Sequence, residues 1–158
     1  MMHSAEGIAH SVEKGEKKNC CIAHNISTST FIDGIDKEGL MVKFRFQDLK
    51  IWQLAIEIAD KLFDIADELD KKKLFRFAEQ LRAAGMSMSN NIAEGSGSVS
   101  KKEFKNFLNI ARRSTFENAN IMIILERRKL IDVKELEENL DDLDKLCRQI
   151  TNFRKSIK

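Results

Sequence analysis

The sequence has no proline, no tyrosine and only 7 glycines among its 158 residues. Average usage would give a chain of this length roughly eight prolines. Sandwiches and barrels turn often and use such residues to do so, which argues against an all-β fold. Histidine is confined to His3, His10 and His24, all before residue 41. The rest of the chain therefore has no imidazole for Ser/His/Asp or Cys/His catalysis. It also has none for the Glu-x-x-His pairs of di-iron bundles. Cysteine is scarce, with Cys20, Cys21 and Cys147 alone. No disulfide framework follows, and the adjacent pair would bridge only under strain. A reducing, cytoplasmic setting is expected. No apolar run approaches the roughly 18 residues of a membrane span, and the opening segment lacks the apolar stretch of a signal peptide. His10, Cys20, Cys21 and His24 are the one conceivable zinc set, but adjacent cysteines depart from the usual spacing. No metal and no cofactor are expected.

Charge is plentiful. Residues DEKR make up 33% of the chain, yet the formal net charge is only +2. That small excess argues neither for nor against a nucleic-acid partner. Residues 1–40 hold 4 lysines against 6 acids, leaving 23 cations against 19 acids in the remainder. Their apolar residues are scattered without period. We read residues 1–43 as a flexible N-terminal extension, with a short helix near residues 4–14 and a second possible start at Met41. Residues 44–158 form the domain.

Four helical segments follow. The first spans about 48–69, with Asp48 as N-cap. Leu49, Trp52, Ile56, Ala59, Phe63 and Ala66 supply its inner stripe. The second spans about 74–94 and ends on Gly95 as C-cap. Phe77, Leu81, Ala84, Met88 and Ile92 form its core set, and Gly85 inside it implies a close helix crossing. The third opens on the capping box Ser100-x-x-Glu103 and runs to about 128. The fourth opens on Asp132 with Glu135 three residues on, and reaches about 157. Leu136, Leu140, Leu143, Cys147, Ile150 and Ile157 give it a heptad seam. Long helices and short links predict an all-α, antiparallel up-down-up-down four-helix bundle. Two hairpins pairing across a dimer are the rival arrangement.

The apolar faces exceed what one bundle needs. Phe104, Leu108, Ala111, Thr115, Met122 and Leu125 make the inner stripe of the third helix. Phe107, Ile110, Ile121 and Ile124 widen it on one side, and Phe116 and Ile123 lie nearly opposite. Ile51, Leu54, Ile58 and Ile65 widen the first helix. Leaving such side chains in water forgoes roughly 1.5–3 kcal/mol each. The expectation is a homo-oligomer with the first and third helices at the contacts. Scattered exposed hydrophobes are the plainer reading.

Several segments agree, in order and spacing, with one known pattern. Phe46-Gln47-Asp48-Leu49-Lys50-Ile51-Trp52-Gln53 resembles F-x-D-L-x-V-W-Q. Gln80-Leu81-Arg82-Ala83-Ala84, Ser87 and Asn91-Ile92-Ala93-Glu94-Gly95 resemble Q-L-R-R-A-A-x-S-I-x-x-N-I-A-E-G. Ser100 to Phe104, Phe107-Leu108 and Ala111 resemble S-x-x-E-F-x-x-F-L-x-I-A, and Ser114 and Glu117 fit the following G-S-x-x-E. Over about Phe44 to Ile157 the chain resembles the four-helix-bundle proteins encoded in intervening sequences of bacterial 23S ribosomal RNA genes. The accessory variability determinant of diversity-generating retroelements belongs to the same superfamily. The resemblance implies a homopentamer and no established enzymatic activity. Gly85, Met88, Arg113 and Asn118 depart from the pattern.

Two constellations remain as candidate sites. Ser87, Asn91 and Glu94 share one helix face, and Ser114 and Glu117 share another. We read them, with Arg82, as a structural polar network in which Glu117 pairs with Arg82 or Arg113 and Asn91 and Glu94 cap the loop. Paired Glu94 and Glu117 carboxylates doing acid/base work, or holding a divalent ion, are the weaker alternative. Lys71, Lys72 and Lys73 lie between the first two helices, and Arg127, Arg128 and Lys129 between the last two. Up-down topology places both loops at one end, where six cations could neutralise phosphates of RNA or DNA. Asp67, Glu68, Asp70, Glu126 and Asp132 dilute that field. The expected function is a non-enzymatic, oligomeric, RNA-binding bundle. The alternative is a protein-interaction module without nucleic acid.

Overall fold

The computed structural model describes residues 42–158, and among them every regular element is helical. Expectations for residues 1–41, including the His10, Cys20, Cys21 and His24 set, lie outside the described residues. A 3-10 turn at Arg45–Asp48 leads into α1 (Lys50–Lys71), α2 (Phe75–Gly97), α3 (Lys101–Arg127) and α4 (Val133–Ser156). Each helix packs on the next in chain order, and α4 returns to α1; the backbones of the diagonal pairs stay further apart. This is the up-down-up-down bundle. The α2–α3 interface is the most extensive and α1–α4 the thinnest. None of these helices is long and apolar enough to cross a membrane.

The starts of α3 and α4 follow directly from sequence. Ser100 Oγ accepts the Glu103 N–H at 3.1 Å, and Asp132 Oδ1 accepts that of Glu135 at 2.8 Å. Each satisfies one N–H that the first helical turn leaves without a partner. The start of α1 differs from expectation. Asp48 closes the 3-10 turn and pairs with Lys43, so Leu49 is the N-cap, without a side-chain bond. Aromatic packing fixes the entry instead: the Phe46 and Trp52 rings lie 5.0 Å apart. Gln53 Nε2 adds a bond to the Gln47 carbonyl at 2.8 Å.

The core runs through all four helices. Ala55, Leu62 and Ala66 of α1 meet Leu81, Met88 and Ile92 of α2, Leu108, Met122 and Leu125 of α3, and Leu143, Leu146 and Ile150 of α4, all essentially inaccessible. The α1 stripe is rotated from its expected phase. Ile51, Ile58 and Ile65 are buried, whereas Trp52, Ile56 and Phe63 are half-buried. The reason is that α1 faces two neighbours, α2 and α4, and the broad isoleucine face fills the angle between them. The same correction applies at Phe77, Leu136, Leu140 and Cys147, which are half-buried flanks.

Both buried glycines mark close approaches. A Cβ on Gly85 would lie 3.3 Å from Phe63 Cε1 and 3.9 Å from the Ala59 Cα, as its place in the helix implied. Gly95 is not a C-cap: α2 continues to Gly97. Its missing side chain makes room for α3, since a Cβ there would stand 2.7 Å from both Phe107 Cβ and Phe104 Cδ2. Phe104 in turn meets Phe153 of α4 edge-on, with centroids 5.8 Å apart.

Candidate functional site

The α1–α2 and α3–α4 loops sit side by side. Lys72 Nζ reaches across to the Leu130 carbonyl at 3.3 Å. All six cations, Lys71, Lys72, Lys73, Arg127, Arg128 and Lys129, are exposed at this one end. They are not equivalent. Lys71 pairs with Glu68, which holds its ammonium above the ordinary lysine range. The Arg128 guanidinium lies 5.8 Å from the centre of the Phe77 ring. Among the described residues, the side chains of Lys73, Arg127 and Lys129 make no ion pair or hydrogen bond. The nearby acids are themselves partly offset, since Arg82 pairs with both Asp67 and Asp70 and cancels one of their two charges.

The sequence itself repeats across the two loops. Leu69-Asp70-Lys71-Lys72-Lys73-Leu74 and Leu125-Glu126-Arg127-Arg128-Lys129-Leu130 have the same pattern of apolar, acidic and basic residues. An internal repeat of a helix-ending hexapeptide implies two loops of one shape. An exposed aromatic also accompanies the charges: Phe75 is 62% accessible and lines, with Lys73, Arg76 and Phe77, a surface hollow of about 520 Å³.

Beside the loops, the thin α1–α4 contact leaves an open cleft of about 740 Å³. Glu135 lines it; partial burial and the nearby Asp132 raise its pKa above the ordinary carboxyl range, while Lys72 pulls the other way. Asn139 lines it too. Its Nδ2 donates to the Glu135 carbonyl at 2.8 Å, and its buried Oδ1 has no partner.

The polar constellation between α2 and α3 assembles only in part. The Ser87 and Ser114 hydroxyls lie 2.8 Å apart. Asn91 Nδ2 donates to the Ser87 carbonyl at 2.7 Å and to its Oγ at 3.1 Å. Glu117 does not pair with Arg82 or Arg113; Gln80 Nε2 donates to it at 3.4 Å. Arg82 turns toward α1 and binds Asp67 and Asp70. Glu94 is exposed and bonded to none of these, so it caps nothing. The paired-carboxylate alternative fails on distance. Glu117 sits at the level of Gln80, and Glu94 lies fourteen residues further along α2, roughly 21 Å at the helical rise. Two carboxylates so separated cannot share a proton or an ion.

Asn118 belongs near this group and was not foreseen as a buried group. It is fully buried; its Nδ2 donates to the Ser114 carbonyl at 2.8 Å, and its Oδ1 has no partner among the described residues. The apolar surplus is narrower than expected. Ile51, Ile58 and Ile65 of α1 and Ile121 of α3 are covered within the chain. Ile110, Phe116, Ile123 and Ile124 of α3 stay exposed, with Phe116 the most open at 59%.

Comparison with known proteins is consistent with this architecture. The profile of the 23S rRNA-intervening sequence protein family matches residues 47–152. A crystal structure of a protein of unknown function from the S23 ribosomal protein family of Bacteroides thetaiotaomicron superposes with a TM-score of 0.64 at 23% identity. The alignment covers 67% of this chain and 99% of that one. No curated protein matches.

Proposed function

We propose that this chain, which belongs to the 23S rRNA-intervening sequence protein family, is a non-enzymatic, self-associating bundle that binds RNA through the phosphate backbone. The observation that carries the reading is the pairing of the two basic loops, joined by the Lys72–Leu130 contact. Six cations on one surface neutralise phosphates whatever the net charge of the chain. Their lysines and arginines contact the backbone and so carry no base code of their own. Self-association is favoured by the exposed apolar side chains on two sides of α3, Ile110 and Ile124 on one and Phe116 and Ile123 on the other. The family resemblance suggests a pentamer, and symmetry would multiply the basic surface.

The test is a mobility-shift titration with structured RNA at several salt concentrations, alongside native mass and absorbance at 260 nm. Replacing residues 71–73 and 127–129 by Ser should abolish the shift while the helical signal is kept. Binding that survives all six changes would sink the loop reading. A second reading, a protein-interaction module without nucleic acid, is favoured by the same exposed α3 residues. It predicts a native assembly free of RNA and a wild-type chain that shifts no RNA at low salt.

A further inference from the structure

Two lysines occupy the backbone position at which helices commonly end on glycine. Lys73 has φ 61° and Lys129 φ 58°, the left-handed region that an L side chain disfavours. Each loop closes through the same two bonds. The Leu74 N–H donates to the Leu69 carbonyl at 2.9 Å, and that of Lys73 to Asp70 at 2.8 Å. In the other loop the Leu130 N–H donates to Leu125 at 2.9 Å, and that of Lys129 to Glu126 at 2.7 Å. This is the Schellman ending, built twice. It requires nothing of the side chain at the left-handed position, and glycine would make the same bonds without a Cβ conflict.

Neither side chain serves the fold. Lys73 and Lys129 are exposed and, among the described residues, their ammonium groups have no partner. Favourable charge at a helix C-terminus is already supplied by Lys71 and Lys72 in one loop and Arg127 and Arg128 in the other. A disfavoured conformation held twice by the same free cation points outward, to a function. We infer that Lys73 and Lys129 are the principal phosphate contacts of the loop end, gripping one RNA strand from the two adjacent loops. This rests on the RNA-binding reading and narrows it from six cations to two. The Lys72–Leu130 contact, one residue from each, keeps the pair within reach of a single strand.

The experiment compares the full chain with three double variants. The measurements are thermal unfolding and the affinity for a fluorescein-labelled single-stranded RNA oligonucleotide across a salt series. Lys73→Gly/Lys129→Gly should raise Tm, on the order of 5 °C for a domain of this size. It should also weaken binding by about tenfold or more and lower the log–log salt slope by about 1.5. Lys71→Ser/Arg128→Ser removes the same charge from side chains already engaged, and should weaken binding less than about threefold. Lys73→Arg/Lys129→Arg should bind like the native chain. A glycine pair that binds as the wild type does would overturn the inference and leave the RNA reading standing. Equal losses in the glycine and serine pairs would show that charge number alone matters, and would also overturn it. A fall in Tm in the glycine pair would assign the lysines to the fold and overturn it. A wild-type chain that binds structured RNA but not this oligonucleotide would overturn the inference alone, and one that binds neither at low salt would remove both readings.

Discussion

The two ends of the bundle are built on opposite principles. At the α2–α3 turn, backbones approach until there is no room for a Cβ on Gly95, and Phe104 and Phe107 close over it. At the other end, each basic loop closes through the same two backbone bonds, with Leu74 and Leu130 packed on the core and the cationic side chains exposed. At Gly95 the turn is specified by volume and leaves no room for a side chain. The other end is specified by main-chain hydrogen bonds and one leucine anchor per loop, and packing places no demand on its cationic positions. Charge gathers where packing places no demand on it.

The sharpest way to break the contrast is at Gly95. Gly95→Ala should cost about 2–3 kcal/mol in urea unfolding, because Phe107 Cβ is anchored to its own backbone and cannot swing away. Gly85→Ala is the companion test. Its nearest neighbour is the edge of the Phe63 ring, which can shift, and alanine gains helix propensity. The net change should stay within about 1 kcal/mol of the wild type. Equal losses at the two glycines would erase the distinction between an approach to a fixed Cβ and an approach to a movable ring.

Between the two ends, buried polar atoms set a second contrast. Asn118→Leu removes an unpartnered oxygen from the core and should raise stability by about 1–2 kcal/mol. A loss instead would mean that Asn118 is satisfied by something the polypeptide does not supply, such as a buried water.

The smallest effect is expected at Glu135. Its pKa is raised in the fold, so the fold holds this proton more tightly than the unfolded chain does. The resulting stabilisation is complete below the unfolded value and is lost as pH rises through the folded value. Glu135→Gln should therefore raise Tm at pH 7 and leave it nearly unchanged near pH 4. A thermal melt at both pH values checks the sign.

The starts of α3 and α4 were legible because Ser100 and Asp132 act on their own next turn. Gly85 was legible as a crossing because a mid-helix glycine has few other uses. Gly95 was misread for a related reason. Near a helix end, glycine as a left-handed cap and glycine as a packing gap look the same in one dimension. The α1 stripe was placed one step off because periodicity gives a face, while its centre depends on how many neighbours that face meets. Arg82 shows the limit most plainly. Its spacing fits a partner on α3, but the bundle turns it to Asp67 and Asp70 on α1.

What the sequence decided alone is everything that acts within one or two turns: which segments are helical, which serine and aspartate start them, and that two loops carry cations. Short-range hydrogen bonds and the 3.6-residue period suffice for that. The tertiary structure decided which faces were truly covered, which carboxylates each arginine found, and that Glu94 and Glu117 lie too far apart to meet. It also revealed that Lys73 and Lys129 hold a left-handed backbone while their ammonium groups have no partner among the described residues. Those outcomes depend on distances between helices, and no spacing along one helix contains them.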